Sequence, residues 1–193
     1  MKKLTLYFLL LFFSMNSISQ NGRNGPSLWE EIRMNSKLDY DNTKPQIIEA
    51  LKKYDSHQYL INRLSKNGQR YLFYTVQEAL KKDLPVELSL IPFVESQFDP
   101  YAQSSTGASG IWQFIPSTAL ENGLKKNWWY DARRDIVAST NAAYNFLIKL
   151  NEEHDDWLIA IAAYNAGPSR VRKEIRKNKE KGLPTDFWSL NLP

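Results

Sequence analysis

The sequence predicts an all-α domain, a multi-helix unit packed around one central helix. Three observations carry that prediction. Apolar residues recur at steps of three and four from Lys44 almost to the end of the chain, the spacing that gathers them on one face of a helix. Starting and stopping residues punctuate the pattern, namely Pro85, Asp135, the Asp155-Asp156 pair and Gly167-Pro168. No convincing run of strands interrupts it, and no internal repeat is visible.

Taken in order, residues 20–43 read as a flexible leader, on the strength of Asn21-Gly22-Arg23-Asn24-Gly25-Pro26. The folded domain is expected over 44–193. Ile47, Ile48, Leu51 and Tyr54 mark one helix, and Tyr59, Leu60, Arg63 and Leu64 mark another after a break at Ser56. A third is expected from Gln69 to Lys82, with Leu72, Phe73, Val76, Ala79 and Leu80 on its apolar side. The central helix should start at Pro85, in the first turn where a missing N–H costs nothing. Leu88, Ile91, Glu95 and Phe98 then share one stripe, and Leu84, Leu90, Phe93 and Val94 make most of the remaining surface apolar. Pro92 falls inside this helix, where it should kink it or remove a hydrogen bond. Asp99 to Gly110 reads as a loop, followed by a short helix near Pro116 to Leu120 and a loop carrying Trp128, Trp129 and Tyr130. Asp135 is placed to cap a helix bearing Ile136, Ala143, Phe146, Leu147 and Leu150. Asp155 or Asp156 can cap the alanine-rich Trp157–Ala166. A charged helix from about Ser169 to Lys181 and an extended tail, Leu183 to Pro193, complete the chain.

Composition narrows the function classes. Hydrophobic residues make up 42% and charged residues 24%, the balance of a globular rather than a disordered chain. The 13% of aromatic residues suits either a heavily packed core or a sugar-binding cleft, and composition does not choose between them. Lys2 and Lys3 precede a short apolar run, Leu4 to Phe13, with small residues Ser17 and Ser19 placed for cleavage. A spanning helix needs roughly 20 apolar residues, so residues 1–19 are expected to be a cleaved secretory signal peptide that leaves no membrane span. Cleavage would take two lysines from a chain of net charge +4. The remaining balance is mildly basic and gives no support to nucleic-acid binding. The absence of cysteine excludes disulfides, thiolate metal sites and a cysteine nucleophile. His57 and His154 are too far apart in sequence to suggest a metal cluster, and no cofactor is implied.

Glu95 stands out chemically. It occupies an apolar stripe, where a carboxylate is costly unless partnered. An apolar pocket that disfavours the charged form is also how a carboxylic acid keeps its proton for glycosidic cleavage. Periodicity leaves both readings open: a general acid, or a glutamate paired with an arginine or turned to solvent at a helix end.

The motifs around Glu95 carry further information. Glu95-Ser96, then Gly107-Ala108-Ser109-Gly110-Ile111-Trp112-Gln113-Phe114, then Ala162-Ala163-Tyr164-Asn165-Ala166-Gly167 resemble, in order and spacing, the signatures of the lytic transglycosylase domain. That domain belongs to the lysozyme-like superfamily, and little or no sheet is expected. Leu84-Pro85-Val86-Glu87-Leu88, Asn127-Trp128-Trp129 and Gly182-Leu183-Pro184-Thr185-Asp186-Phe187-Trp188 are similar to the membrane-bound lytic murein transglycosylase D group. The resemblance spans about 44–193, and members of the group continue beyond the position of Pro193, so a shortened C-terminal side is expected.

The resemblance implies an enzyme that cleaves the MurNAc-GlcNAc β-1,4 bond of peptidoglycan without water, giving 1,6-anhydro ends. Glu95 matches the catalytic acid and base, and Ser96, Gln113, Tyr164 and Asn165 match substrate-binding positions. A local helix-end hydroxyl remains an equal reading of Ser96, and core packing remains open for Tyr164. No second carboxylate is required, and Asp99, in an Asp-Pro turn signal, reads as structural. Trp112 is a candidate for stacking on a sugar, whereas Trp128, Trp129 and Trp157 are expected in the core or wall. The implied partner is the peptidoglycan glycan strand, the location periplasmic or cell-wall associated, and the expected state a monomer. A muramidase on the same scaffold and a non-catalytic peptidoglycan-binding protein are the alternatives.

Overall fold

Helices account for all the regular structure in the computed structural model, which describes residues 27–38, 43–45, 47–49 and 68–192. The expected signal peptide and the helices assigned to Leu51, Tyr54, Tyr59, Leu60, Arg63 and Leu64 lie outside those residues. Helix α1 (Leu28–Met34) begins at Ser27, whose hydroxyl accepts from Glu30 N while the Glu30 carboxylate accepts from Ser27 N at 2.6 Å. This reciprocal cap satisfies two otherwise orphaned donors.

Residues 28–38 fall in the stretch read as a flexible leader, and the structure corrects that reading. Ile32 and Leu38 are buried in the main core. The fully buried carboxylate of Glu87 fastens the segment down, accepting from Ser36 Oγ at 2.6 Å, Lys37 N at 3.0 Å and Leu38 N at 2.9 Å. So few apolar residues on a seven-residue helix give no readable period; the tie is long-range.

Helix α2 (Gln69–Lys81) matches expectation in extent but not wholly in facing. Phe73, placed on the apolar side, is 58% exposed, and Thr75 is buried in its stead, with its hydroxyl donating to Leu72 O at 2.9 Å. The single central helix predicted from Pro85 onward is two elements, a 3-10 turn at Val86–Leu90 and helix α3 (Ile91–Ser96). Pro92 lies in the first turn of α3, where its missing N–H breaks no bond. The chain meets the proline by restarting its helix rather than kinking it. Every side chain from Val86 to Phe93 is buried, so this broken rod still runs through the core.

Helix α4 (Pro116–Glu121) is short. Helix α5 (Ile136–His154) starts at Asp135, which accepts from Ala138 N at 2.9 Å. Helix α6 (Trp157–Ala166) starts at Asp156, which accepts from Leu158 N at 2.7 Å and Ile159 N at 3.1 Å. Asp155 instead ends α5 in a left-handed conformation. Small side chains at Ala160, Ala162 and Ala163, all buried, let α6 lie close against α5, and α6 also packs on helix α7 (Pro168–Glu180). The tail departs from its extended expectation. A 3-10 turn at Phe187–Ser189, capped by Asp186, drives Phe187, Leu190 and Leu192 into the core. Asn178 Nδ2 holds it there through Pro184 O at 2.7 Å and Ser189 O at 3.0 Å. No strand forms among the described residues; isolated bridges pair Gln103 with Ser109, Ser109 with Phe114 and Lys126 with Asp131.

Candidate active site

Glu95 sits in the last turn of α3, half-buried, two residues after the buried Phe93. The chain leaves the helix through two successive non-glycine residues in left-handed conformation, Gln97 at φ 56° and Phe98 at φ 58°. Each such residue costs of order 1 kcal/mol and persists where its surroundings enforce it. Here Gln97 N donates to Phe93 O at 2.8 Å and Phe98 N to Pro92 O at 3.2 Å, while the Phe98 ring is buried. The helix end carrying Glu95 is thereby fixed. Asp99 lies beyond it, exposed, and accepts from Tyr101 N at 2.8 Å in a local turn.

The loop from Ala102 to Phe114 packs beside this helix end. Ser96 Oγ lies 2.9 Å from Ile111 O and 3.0 Å from Pro92 O, so its one proton is engaged between two backbone carbonyls. The structure thus gives Ser96 a tying role, from α3 to the loop. Gln113, at φ 50°, turns its amide back on the loop, with Nε2 donating to Gly110 O at 2.8 Å and Ala102 O at 3.2 Å. Both amide protons are used. Oε1 carries no hydrogen bond from the described residues, which leaves an acceptor suited to a sugar hydroxyl.

Tyr164, on α6, closes the group. Its phenol donates to Trp112 O at 2.7 Å. Its ring meets Trp112, Phe114 and Phe146 with centroids 6.5, 6.1 and 5.8 Å away. Burial raises the phenol pKa well above its ordinary value, and the negative charge of Glu95 raises it further. That second cause places Tyr164 within electrostatic reach of the carboxylate. Asn165 follows, half-buried, with its Oδ1 atom buried and lacking a hydrogen-bond partner among the described residues. A buried acceptor without a partner carries a desolvation cost.

Two tryptophan assignments are reversed. Trp112 is fully buried, its Nε1 donating to Thr140 Oγ1 at 3.0 Å and its ring edge-on to Tyr144 at 5.3 Å, so it builds the core instead of stacking on a sugar. Trp128 and Trp129, expected in the core or wall, are 89% and 90% exposed.

Sequence reasoning also missed a strut. Arg133, 4% exposed, donates from Nη1 to Gly107 O at 2.7 Å and Phe114 O at 3.1 Å, bracing both ends of the loop that carries Gln113. Its other nitrogens meet the Asp131 carboxylate at 2.9 and 2.7 Å. Those bonds hold the Asp131 pKa below the usual carboxylate range. The signal was present in Asp131-Ala132-Arg133-Arg134-Asp135, but a charged run before a helix reads first as capping. Among the described residues no three His, Asp or Glu side chains gather where they could hold a metal.

An all-helical domain with Glu95 at a helix end, a glycine-bearing loop tied to that end through Ser96, and Tyr164-Asn165 on α6 is an arrangement of the lysozyme-like, all-α class. The chain belongs to the transglycosylase SLT domain family, which matches residues 74–186. It is 47% identical over 149 residues to the membrane-bound lytic murein transglycosylase D of Escherichia coli (strain K12), covering 77% of this chain and 33% of that protein. It is 32% identical over 108 residues to the membrane-bound lytic murein transglycosylase F of Desulfosudis oleivorans, covering 52% of this chain and 22% of the relative. A third relative, the membrane-bound lytic murein transglycosylase C of Photorhabdus laumondii, is 28% identical over 140 residues, 64% of this chain and 39% of the relative. The chain therefore spans about a third of the length of the transglycosylase D that it matches. No helix among the described residues is long and apolar enough to cross a membrane.

Proposed function

We propose that this protein is a peptidoglycan lytic transglycosylase acting at the cell envelope after export, in the periplasm or at the wall. Glu95 is the acid: its carboxyl protonates the glycosidic oxygen between MurNAc and GlcNAc as the C1–O bond breaks. The C6 hydroxyl of the same muramyl residue then attacks C1, and the Glu95 carboxylate takes up its proton. The products are a free GlcNAc hydroxyl and a 1,6-anhydro end, and Glu95 is restored. Proximity of the internal hydroxyl stands in for a protein nucleophile. Gln113 Oε1 and the unpartnered Asn165 Oδ1 serve as acceptors for sugar or amide donors, and Tyr164 and Ser96 hold the loop and helix end in register.

The observation that carries the reading is the convergence of Glu95 at a fixed helix end, the braced Gln113 loop and Tyr164 within reach of the Glu95 charge. Membership of the SLT domain family and the names of the relatives support it. Digestion of purified glycan strands by wild type and by Glu95→Gln, with products weighed, tests it. Wild type should release anhydro-ended fragments, and Glu95→Gln should lose at least about a hundredfold in rate, the lower range of a general acid's contribution. Products heavier by one water would make the protein a muramidase. Binding without release by both proteins would make it a non-catalytic binder.

A further inference from the structure

The segment 115–137 holds a concentration of exposed apolar side chains, none of them among the residues assigned to glycan cleavage. Of the eleven large hydrophobic side chains exposed among the described residues, six lie in it: Ile115, Leu120, Trp128, Trp129, Tyr130 and Val137. Trp128 and Trp129 have no ring contact and no side-chain hydrogen bond among the described residues, at 89% and 90% exposure. Two neighbouring indoles left in water forgo the stabilisation of burial, so packing among the described residues does not account for them.

The turn that holds them is built rather than loose. Asn127 N donates to Tyr130 O at 2.8 Å, and Asn127 Oδ1 accepts from Trp129 N at 2.9 Å and Tyr130 N at 2.8 Å. Its base is closed by Ala132 N donating to Lys125 O at 3.0 Å, and Tyr130 Oη donates to Asp135 at 3.0 Å. The charge around the indoles is one-sided. Lys125 and Lys126 precede them, and no acidic residue occurs from Asn122 to Tyr130. Asp131 is taken by Arg133, and Asp135 by the start of α5 and by Tyr130. Lys126 approaches Asp131 only at 3.9 Å and stays 67% exposed.

We propose that this turn is a peripheral membrane anchor: Trp128 and Trp129 enter the interfacial layer of an anionic lipid bilayer while Lys125 and Lys126 meet its headgroups. Indoles settle at the headgroup level, and adjacent lysines favour anionic lipid. The same surface fits a glycan less well. Sugars stack on flat rings, whereas the exposed aliphatic side chains of the same segment, Ile115, Leu120 and Val137, suit a bilayer and offer a sugar face nothing. The inference stands apart from the role of Glu95.

Vesicle co-sedimentation of the full chain tests it, using phosphatidylcholine alone and phosphatidylcholine with phosphatidylglycerol. Wild type should partition onto the anionic vesicles about tenfold more strongly than Trp128→Ala/Trp129→Ala, and Lys125→Gln/Lys126→Gln should lose the preference for phosphatidylglycerol. All three proteins should cleave soluble glycan strands at equal rates, which separates this result from the fate of the Glu95 reading. Equal partition of wild type and the tryptophan variant overturns the anchor, since both share every other apolar segment. Tryptophan-dependent binding to glycan strands without vesicle binding overturns it too, and assigns the turn to the substrate.

Discussion

Two phenols anchor the interior, fully buried Tyr144 and part-buried Tyr164, and each spends its proton on a backbone carbonyl. Tyr144 donates to Thr75 O at 2.6 Å and Tyr164 to Trp112 O at 2.7 Å. Burial, first of all, raises both pKa values well above the ordinary phenol value. In the unfolded chain these groups ionise near pH 10, while the folded chain keeps their protons to higher pH. Their contribution to stability is therefore complete below about pH 10 and is lost as pH rises beyond it. Each retained proton steepens the fall by about 1.4 kcal/mol per pH unit. Urea titrations of wild type and Tyr164→Phe from about pH 8 to about pH 12 should show a shallower alkaline loss in the variant, by about that slope for one phenol. An unchanged slope would show that Tyr164 is not held neutral by the fold. The residue scale also shows what one sequence cannot reveal, for the acceptor of Tyr164 lies 52 positions away.

At the scale of elements, the decisive unit is the pairing of the Gly107–Phe114 loop with residues 131–134. Gly110 adopts φ +80°, and a Cβ built there would stand 1.8 Å from Arg133 O and 2.7 Å from its carbonyl carbon. Both are backbone atoms, so no side chain can yield. Gly123 has a similar φ of +78° with nothing within 4 Å of a Cβ. The two glycines separate conformational strain from collision. Gly123→Ala should cost about 1 kcal/mol, the strain of a left-handed alanine. Gly110→Ala should cost several times more and lower glycan cleavage in whatever protein still folds, because Gln113 and Trp112 O move with the loop. Thermal unfolding and turnover of both variants check this; equal losses would mean that the loop and Arg133 are not in register as described. In the sequence Gly107 and Gly110 appear only as members of a motif run. Only the tertiary structure identifies Arg133 as the neighbour.

For the whole molecule, the fold depends on a segment that sequence patterning assigned to the leader. Glu87 receives one hydroxyl and two backbone N–H donors from Ser36, Lys37 and Leu38, and its 3-10 turn leads straight into α3. Glu87→Ala strands those donors, at about 1–3 kcal/mol for each one left buried, and loosens α1 from the core. Limited trypsin digestion should then cut after Arg33 and Lys37 sooner than in wild type. Unchanged cleavage at these sites would show that the buried contacts of Ile32 and Leu38 hold the segment without Glu87.

Much of the helical plan was legible because local chemistry writes it. Asp135 and Asp156 cap, Gly167-Pro168 stops, and the period of three and four marks faces, all within a few residues of where they act. Glu95, Ser96, Gln113, Tyr164 and Asn165 were legible as a motif set by resemblance, and the structure shows how three elements carry them. What remained for tertiary structure was every choice of partner. Trp112 and Trp128 are the same residue type and both lie in loops, yet one is buried against Tyr144 and the other stands in water. Periodicity records whether a side chain can be buried within its own helix. Loops, caps of distant segments and carbonyl acceptors are decided by contacts between residues tens of positions apart, and a linear pattern holds no measure of those distances.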